Sequence, residues 1–128
     1  PARDAEWHDQ WRRTDPDRPL ERLYACGAGV TAFHIDPDGM LYPCVMSRKI
    51  LADGAKEGFG AAWRHISEVI VTRHFGVGFA CRTCPRKVLC GYCPGFFELE
   101  NGSEEIPSKF LCEIGRKRWE IMSREKSA

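Results

Sequence analysis

The sequence predicts a small α+β metal-cluster domain: an N-terminal β-hairpin, a central helix, a Cys-rich irregular knuckle and a C-terminal helix. Three observations lead there. Seven cysteines (Cys26, Cys44, Cys81, Cys84, Cys90, Cys93 and Cys112) fall within 128 residues. Apolar and polar residues alternate on either side of an Asp36-Pro37-Asp38-Gly39 turn. Two later segments carry apolar residues at helical spacing.

Taken in order, Ala5 to Arg13 (AEWHDQWRR) spaces Trp7 and Trp11 as a helix would, and Thr14 to Pro19 is a turn cluster that ends it. This stretch reads as a lead-in, residues 1–20, to a domain over residues 21–128. A chain starting at Pro1 without Met suggests a segment of a longer protein. From Thr31, Phe33 and Ile35 point to one side and His34 and Asp36 to the other. Gly39 supplies the positive-φ position of the turn, and Met40 to Met46 returns as the second strand, with Cys26 and Cys44 at the hairpin's ends. Gly58 to His74 predicts the central helix, with Phe59, Trp63, Ile66 and Ile70 on one stripe and Gly76 and Gly78 terminating it. Phe79 to Phe97 reads as irregular. The last helix is expected from Pro107 or Ser108 to about Arg124, with Phe110, Ile114 and Ile121 inward and Cys112 in its first turns.

Composition excludes several classes. With 19 Lys and Arg against 18 Asp and Glu, the net charge of +1 offers no general attraction for nucleic acid. The run Arg116-Lys117-Arg118 reads as a solvated helix face. No apolar stretch is long enough to span a bilayer, and the first twenty residues are too polar for a secretory leader, so a cytoplasmic location without membrane contact is expected. Asn101-Gly102-Ser103, though it fits a glycosylation pattern, then reads as a turn. No Ser/His/Asp set, phosphate loop or paired-carboxylate site stands out.

Cysteine is the outlier. An odd count cannot pair completely, and paired C-x-x-C units among Pro and Gly point to metal before disulfides. The spacing is Cys26-x12-Gly39-x4-Cys44, a gap, Cys81-x2-Cys84-x5-Cys90-x2-Cys93, a gap, and Cys112. Two intervening residues let the backbone loop over a metal with its amides toward the thiolates. Thiolates select zinc or iron–sulfur over magnesium or calcium. Seven exceed one four-thiolate zinc site and fall one short of two. His8, His34, His65 and His74 all lie outside the knuckle. On spacing, both metals stay open.

The pattern Cys26…Gly39-MLYP-Cys44…Cys81-RT-Cys84-PRKVL-Cys90-GY-Cys93…Cys112, together with CGAGVTAFHIDPDGMLYPC at the hairpin, resembles the SPASM domain, the C-terminal extension of many radical SAM enzymes. The resemblance covers about Leu23 to Ile121. It departs at Cys90-x2-Cys93, where the family usually has three intervening residues. It implies two auxiliary 4Fe–4S clusters, the first held by Cys26, Cys44 and Cys93 and the second by Cys81, Cys84, Cys90 and Cys112. Members with eight cysteines carry one more before the hairpin, where this chain has Pro19, Leu20, Glu21 and Arg22. The first cluster's fourth iron is then open, or bound by water, a substrate group or Glu21. The implied role is electron transfer and positioning of a peptide or protein substrate, beside an upstream radical SAM barrel. The C-x3-C-x2-C loop that cleaves S-adenosylmethionine does not occur here, so S-adenosylmethionine would enter only through that upstream domain, and this segment alone is expected to be inactive as an enzyme. The rival reading is a zinc-ribbon-like interaction module without redox function, and zinc is also expected to enter protein purified in air.

Two further features complete the reading. His34 is expected on an exposed face. Tyr92, Phe96 and Phe97 are expected to wall a cluster or to line a peptide channel.

Overall fold

The computed structural model describes residues 15–127; the helix read over Ala5–Arg13, and His8, lie outside them. The hairpin forms where the turn chemistry requires it. Strand β1 (His34–Ile35) pairs antiparallel with β2 (Met40–Tyr42), in the register His34 opposite Tyr42 and Ile35 opposite Leu41. The Asp36 carboxylate organises the turn by accepting from the backbone N–H groups of Asp38 and Met40, both at 3.0 Å, and from the Tyr42 hydroxyl at 3.1 Å. Partial desolvation raises its pKa, but those hydrogen bonds outweigh it and hold the carboxyl below its ordinary value. Gly39 sits at φ +83°, and a Cβ there would lie 2.7 Å from the Ala55 Cβ. Glycine is thus required for backbone conformation and for close approach at once.

A third strand, β3 (Ala52–Asp53), adds to β2, giving the antiparallel order β1-β2-β3. Asp53 then caps the short helix α1 (Gly54–Glu57) by accepting from the Lys56 N–H at 2.9 Å. Helix α2 (Phe59–Thr72) follows, bounded by Gly58 at positive φ. It ends before the two expected terminating glycines, because Arg73 is already extended. Helix α3 (Pro94–Asn101) and helix α4 (Lys109–Ser127) complete four α-helices among the described residues, with a 3-10 turn at Pro85–Val88. No helix among the described residues is long and apolar enough to cross a membrane.

Three expectations need correction. Residues 79–97 are not irregular throughout. Pro94 opens α3 at the first helical position, where its missing N–H costs nothing, and Cys93 caps it. In α2 the buried residues are Ala62, Ile66 and Ile70, whereas Phe59 is 49% exposed. Phe59, Trp63 and the half-exposed Phe33 instead form an aromatic cluster at centroid distances of 5.1 to 6.2 Å. In α4 the phase is rotated: Phe110 and Ile121 are exposed, and Gly115 and Met122, with Ser108 just before the helix, are buried. Seven-residue spacing places those three on one side, and Gly115 offers the close approach that a larger apolar residue could not.

The chain forms two units, each assembled from separated segments. One comprises Glu21–Phe79 and Cys93–Ile106; the other comprises, among the described residues, 15–20, Ala80–Tyr92 and 107–127. Among the described residues, the first holds most of the apolar core, including Leu23, Leu41, Ile66, Ile70 and Phe97. It also encloses a polar network: the Tyr24 hydroxyl donates to Glu104 Oε1 at 2.9 Å and lies 3.1 Å from Ser47 Oγ, and Arg73 pairs with the other Glu104 oxygen. The second unit packs Leu89 and Met122 together under Val88 and Trp119.

Tyr24 joins three distant segments, so Tyr24→Phe tests the network. It leaves a buried carboxylate oxygen and a serine hydroxyl without their partner, and urea unfolding should register a loss of about 1–3 kcal/mol. Burial, opposed by the Ser47 hydrogen bond and reinforced by Glu104, pushes the Tyr24 pKa upward. Its contribution is therefore fully present below the ordinary value of 10.0 and is lost as pH climbs above it. The gap between wild type and variant should narrow at alkaline pH.

Candidate metal centre

The seven cysteines are all free thiols, and they divide between the two units. Cys26, Cys44 and Cys93 belong to the first; Cys81, Cys84, Cys90 and Cys112 belong to the second. Cys90 and Cys93 are three residues apart yet fall on opposite sides of that division.

In the first unit, Cys26 precedes a tight loop in which the N–H groups of Val30, Thr31 and Ala32 all converge on the Gly27 carbonyl. The Gly29 N–H reaches the Pro43 carbonyl at 3.2 Å, which ties the loop after Cys26 to the residue before Cys44. The Cys44 sulfur accepts the Ser47 N–H at 3.3 Å. Cys93 arrives on the N-terminus of α3, where its sulfur accepts the Phe96 N–H at 3.3 Å. Gly95 sets how near it comes: a Cβ there would lie 3.0 Å from the Met46 carbonyl carbon and 3.1 Å from the Ser47 nitrogen. A side chain there would press on the backbone just after Cys44, on which the start of α3 rests. Burial pushes the Cys93 thiol pKa up, the Phe96 N–H opposes this, and Cys44 and Cys26 push it further. The three thiols are thus electrostatic neighbours.

In the second unit, the Cys84 N–H bonds the Cys81 carbonyl at 3.4 Å, and Cys84 leads into the 3-10 turn. The turn ends as the Cys90 N–H meets the Arg86 carbonyl at 3.0 Å. Cys112 lies in the first turn of α4, held by its N–H to the Ser108 carbonyl at 2.9 Å. Gly115 provides the close approach: a Cβ there would sit 2.7 Å from the Cys90 Cβ and 3.2 Å from its Cα. Arg118 fastens the same contact by donating to the Leu89 carbonyl at 2.8 Å. Burial pushes the Cys81 thiol up to about 12, with further upward pushes from Cys112, Cys84 and Cys90. Cys90 rises to about 11, chiefly by burial and then through Cys112 and Cys84, while the Tyr92 N–H pulls it down. Both thiols are neutral at physiological pH, and a metal would have to displace their protons.

Among the described residues, no three His, Cys, Asp or Glu side chains converge tightly enough to enclose a single metal ion. Thiols that feel one another's charge across several ångströms are neighbours without forming a cage at the zinc–sulfur distance of about 2.3 Å. Both statements hold: the thiols sort into groups of four and three, and neither group is closed on one point. His34, which is half-buried with its ring 6.1 Å from that of Tyr42, stands in the hairpin. Of the three aromatic residues expected to wall a cluster, Phe97 is fully buried in the first unit, and Tyr92 and Phe96 are half-buried.

Sequence reasoning missed Gly95 and Gly115, the residues that set the approach of Cys93 and Cys112 to their partners. The Ser108-Gly115-Met122 stripe and the proline following Cys93 were the signals that could have revealed them. Comparison with known proteins adds no relative: no protein-family model matches the chain, and neither a curated protein nor a solved structure is similar to it beyond chance.

Proposed function

We propose that this chain is an auxiliary iron–sulfur domain of the SPASM kind, part of a cytoplasmic radical SAM enzyme that modifies a peptide or protein. The observation that carries the reading is the division of seven thiols into four and three, with Cys93 leaving the C-x-x-C knuckle to join Cys26 and Cys44. Spacing alone would keep Cys90 and Cys93 on one metal, as a zinc ribbon does. The donor set fits the proposed group. Every candidate ligand is a thiol, the soft donor that iron–sulfur clusters take, and backbone N–H groups already point at the sulfurs of Cys44, Cys93 and Cys90.

In this reading Cys81, Cys84, Cys90 and Cys112 hold one 4Fe–4S cluster, and Cys26, Cys44 and Cys93 hold another with one fewer protein ligand. When bound, such clusters supply one-electron transfer. The chain's own residues do the rest. The Ser47 and Phe96 amides offset thiolate charge at the three-thiol site, as the Tyr92 amide does at the other. Gly95 and Gly115 keep the ligand-bearing segments close, and the loops around the thiols position the substrate. S-adenosylmethionine and its cleavage belong to an upstream barrel.

Protein reconstituted and kept anaerobic should be brown, with broad visible absorption and about eight irons per chain. Colourless anaerobic protein with stoichiometric zinc would overturn the proposal in favour of an interaction module. Cys112→Ala should leave about four irons, and full iron content in that variant would show the ligand set to be wrong.

Gly115→Ala probes the same site without touching a ligand. The added methyl collides with the Cys90 Cα and Cβ, so α4 must shift away. Thermal and denaturant melts of the metal-free chain should record a loss of about 1–3 kcal/mol, and iron at the four-thiol site should fall while the other site stays filled.

A further inference from the structure

The three segments that carry Cys26, Cys44 and Cys93 meet at one residue. Ser47, which is 2% exposed, gives its backbone N–H to the Cys44 sulfur at 3.3 Å. Its hydroxyl oxygen lies 3.1 Å from that of Tyr24, two residues before Cys26. Its backbone nitrogen rests so near Gly95, two residues after Cys93, that a Cβ on Gly95 would come within 3.1 Å of it. All of these residues belong to the unit of the three thiols.

The hydroxyl protons in this cluster have one arrangement. A phenol has a single O–H to give, and Tyr24 gives it to Glu104 Oε1 at 2.9 Å. The Tyr24 oxygen can then only accept, so the Ser47 hydroxyl donates to it. Arg73 holds the other Glu104 oxygen, and the Arg73 carbonyl receives the N–H of Leu23, the neighbour of Tyr24, at 3.3 Å. The donors therefore run from Ser47 through Tyr24 to a carboxylate that is itself fixed, and each bond in such a chain polarises the next. Ser47 is pinned through its side chain and pressed through its backbone, which keeps its amide aimed at Cys44.

We propose that the Tyr24 and Ser47 hydroxyls are a positioning device for the three-thiol centre: by fixing the Ser47 amide on the Cys44 sulfur, they set the reduction potential of the cluster held there. The inference rests on the iron–sulfur reading of the thiols and goes beyond it by assigning the buried polar network a redox function. An amide proton directed at a ligand sulfur draws charge from it and so favours the reduced, more negative cluster. Without the hydroxyl bond Ser47 is free to turn, the N–H···S contact lengthens, and the reduced form loses part of its support. Both hydroxyls act through the amide and not on the cluster itself.

The test uses the anaerobically reconstituted chain as wild type, as Tyr24→Phe, as Ser47→Ala and as the double variant. Neither substitution changes a charge or removes a backbone amide, so a change in potential reports the placement of the Ser47 N–H. Iron is counted first. Each protein is then reduced stepwise with dithionite and mediators while EPR follows the clusters. In each single variant, with about eight irons retained, one of the two reduction steps should move to more negative potential. Its equilibrium should shift about two- to tenfold toward the oxidised form, and the other step should stay in place. The double variant should shift no further than a single one, because both substitutions remove the same bond. Full iron with an unmoved or raised potential in either single variant overturns the positioning role alone, and so do shifts that add in the double variant. Loss of the three-thiol iron from both single variants shows a merely structural role and overturns it equally. A wild-type chain that takes up no iron overturns the metal reading and this inference with it.

Discussion

Two helical glycines rest closely on cysteine-bearing segments, and the arrangement of the cysteines depends on both. Gly95 lies against the Met46–Ser47 backbone and Gly115 against Cys90. Each contact brings a late segment of the chain onto an earlier cysteine-bearing one. Neither is a turn glycine: both sit inside helices, where glycine is disfavoured by roughly 0.5–1 kcal/mol relative to alanine. That cost is accepted where backbone must meet backbone. The helices α3 and α4 thereby act as struts that deliver Cys93 and Cys112, while the apolar core beneath them remains modest.

The two units solve the problem of stability differently. The first has a conventional core, with Ile66 and Ile70 of α2 fully buried and a polar network of Tyr24, Ser47, Glu104 and Arg73. Among the described residues, the second packs Leu89 and Met122 against Val88 and Trp119. A metal shared between its segments would add to that packing, because metal binding is coupled to folding. Its thiols are also the more strongly perturbed. Cys81 and Cys90 are pushed up by burial together with the charge of neighbouring thiols.

Local chemistry made part of this legible in the sequence. The hairpin was readable because Asp36, Gly39 and Tyr42 settle the turn among themselves, within seven residues. The extent of α2 was readable from its apolar period, to within two residues at either end. The phase of α4 was not, because Phe110 and Ile121 are large and apolar, and periodicity counts size and hydrophobicity. The structure instead buries Ser108 and Gly115, whose value lies in being small. The same blindness hid α3: a proline and a glycine after Cys93 look like loop residues, and their helical use depends on a cysteine acting as the cap. The cysteine spacing was fully visible, but the separation of Cys90 from Cys93 was implied only by the family resemblance and not by the spacing. Three residues of sequence cannot say that a chain changes units between them.

That change of units bears on how the protein is made. The polypeptide passes between the units after Leu20, Phe79, Tyr92 and Ile106, so their segments are interleaved along the chain. During synthesis the N-terminal parts emerge first. Cys81, Cys84 and Cys90 therefore become available before Cys93, which shares a unit with Cys26 and Cys44, and Cys112 appears last. While the first five thiols are present neither group is complete; with the sixth, Cys93, the group of three is complete and the group of four still lacks Cys112. If the proposed clusters are loaded, the group of four can be filled only after α4 has been released, which would tie the timing of loading to the order of translation.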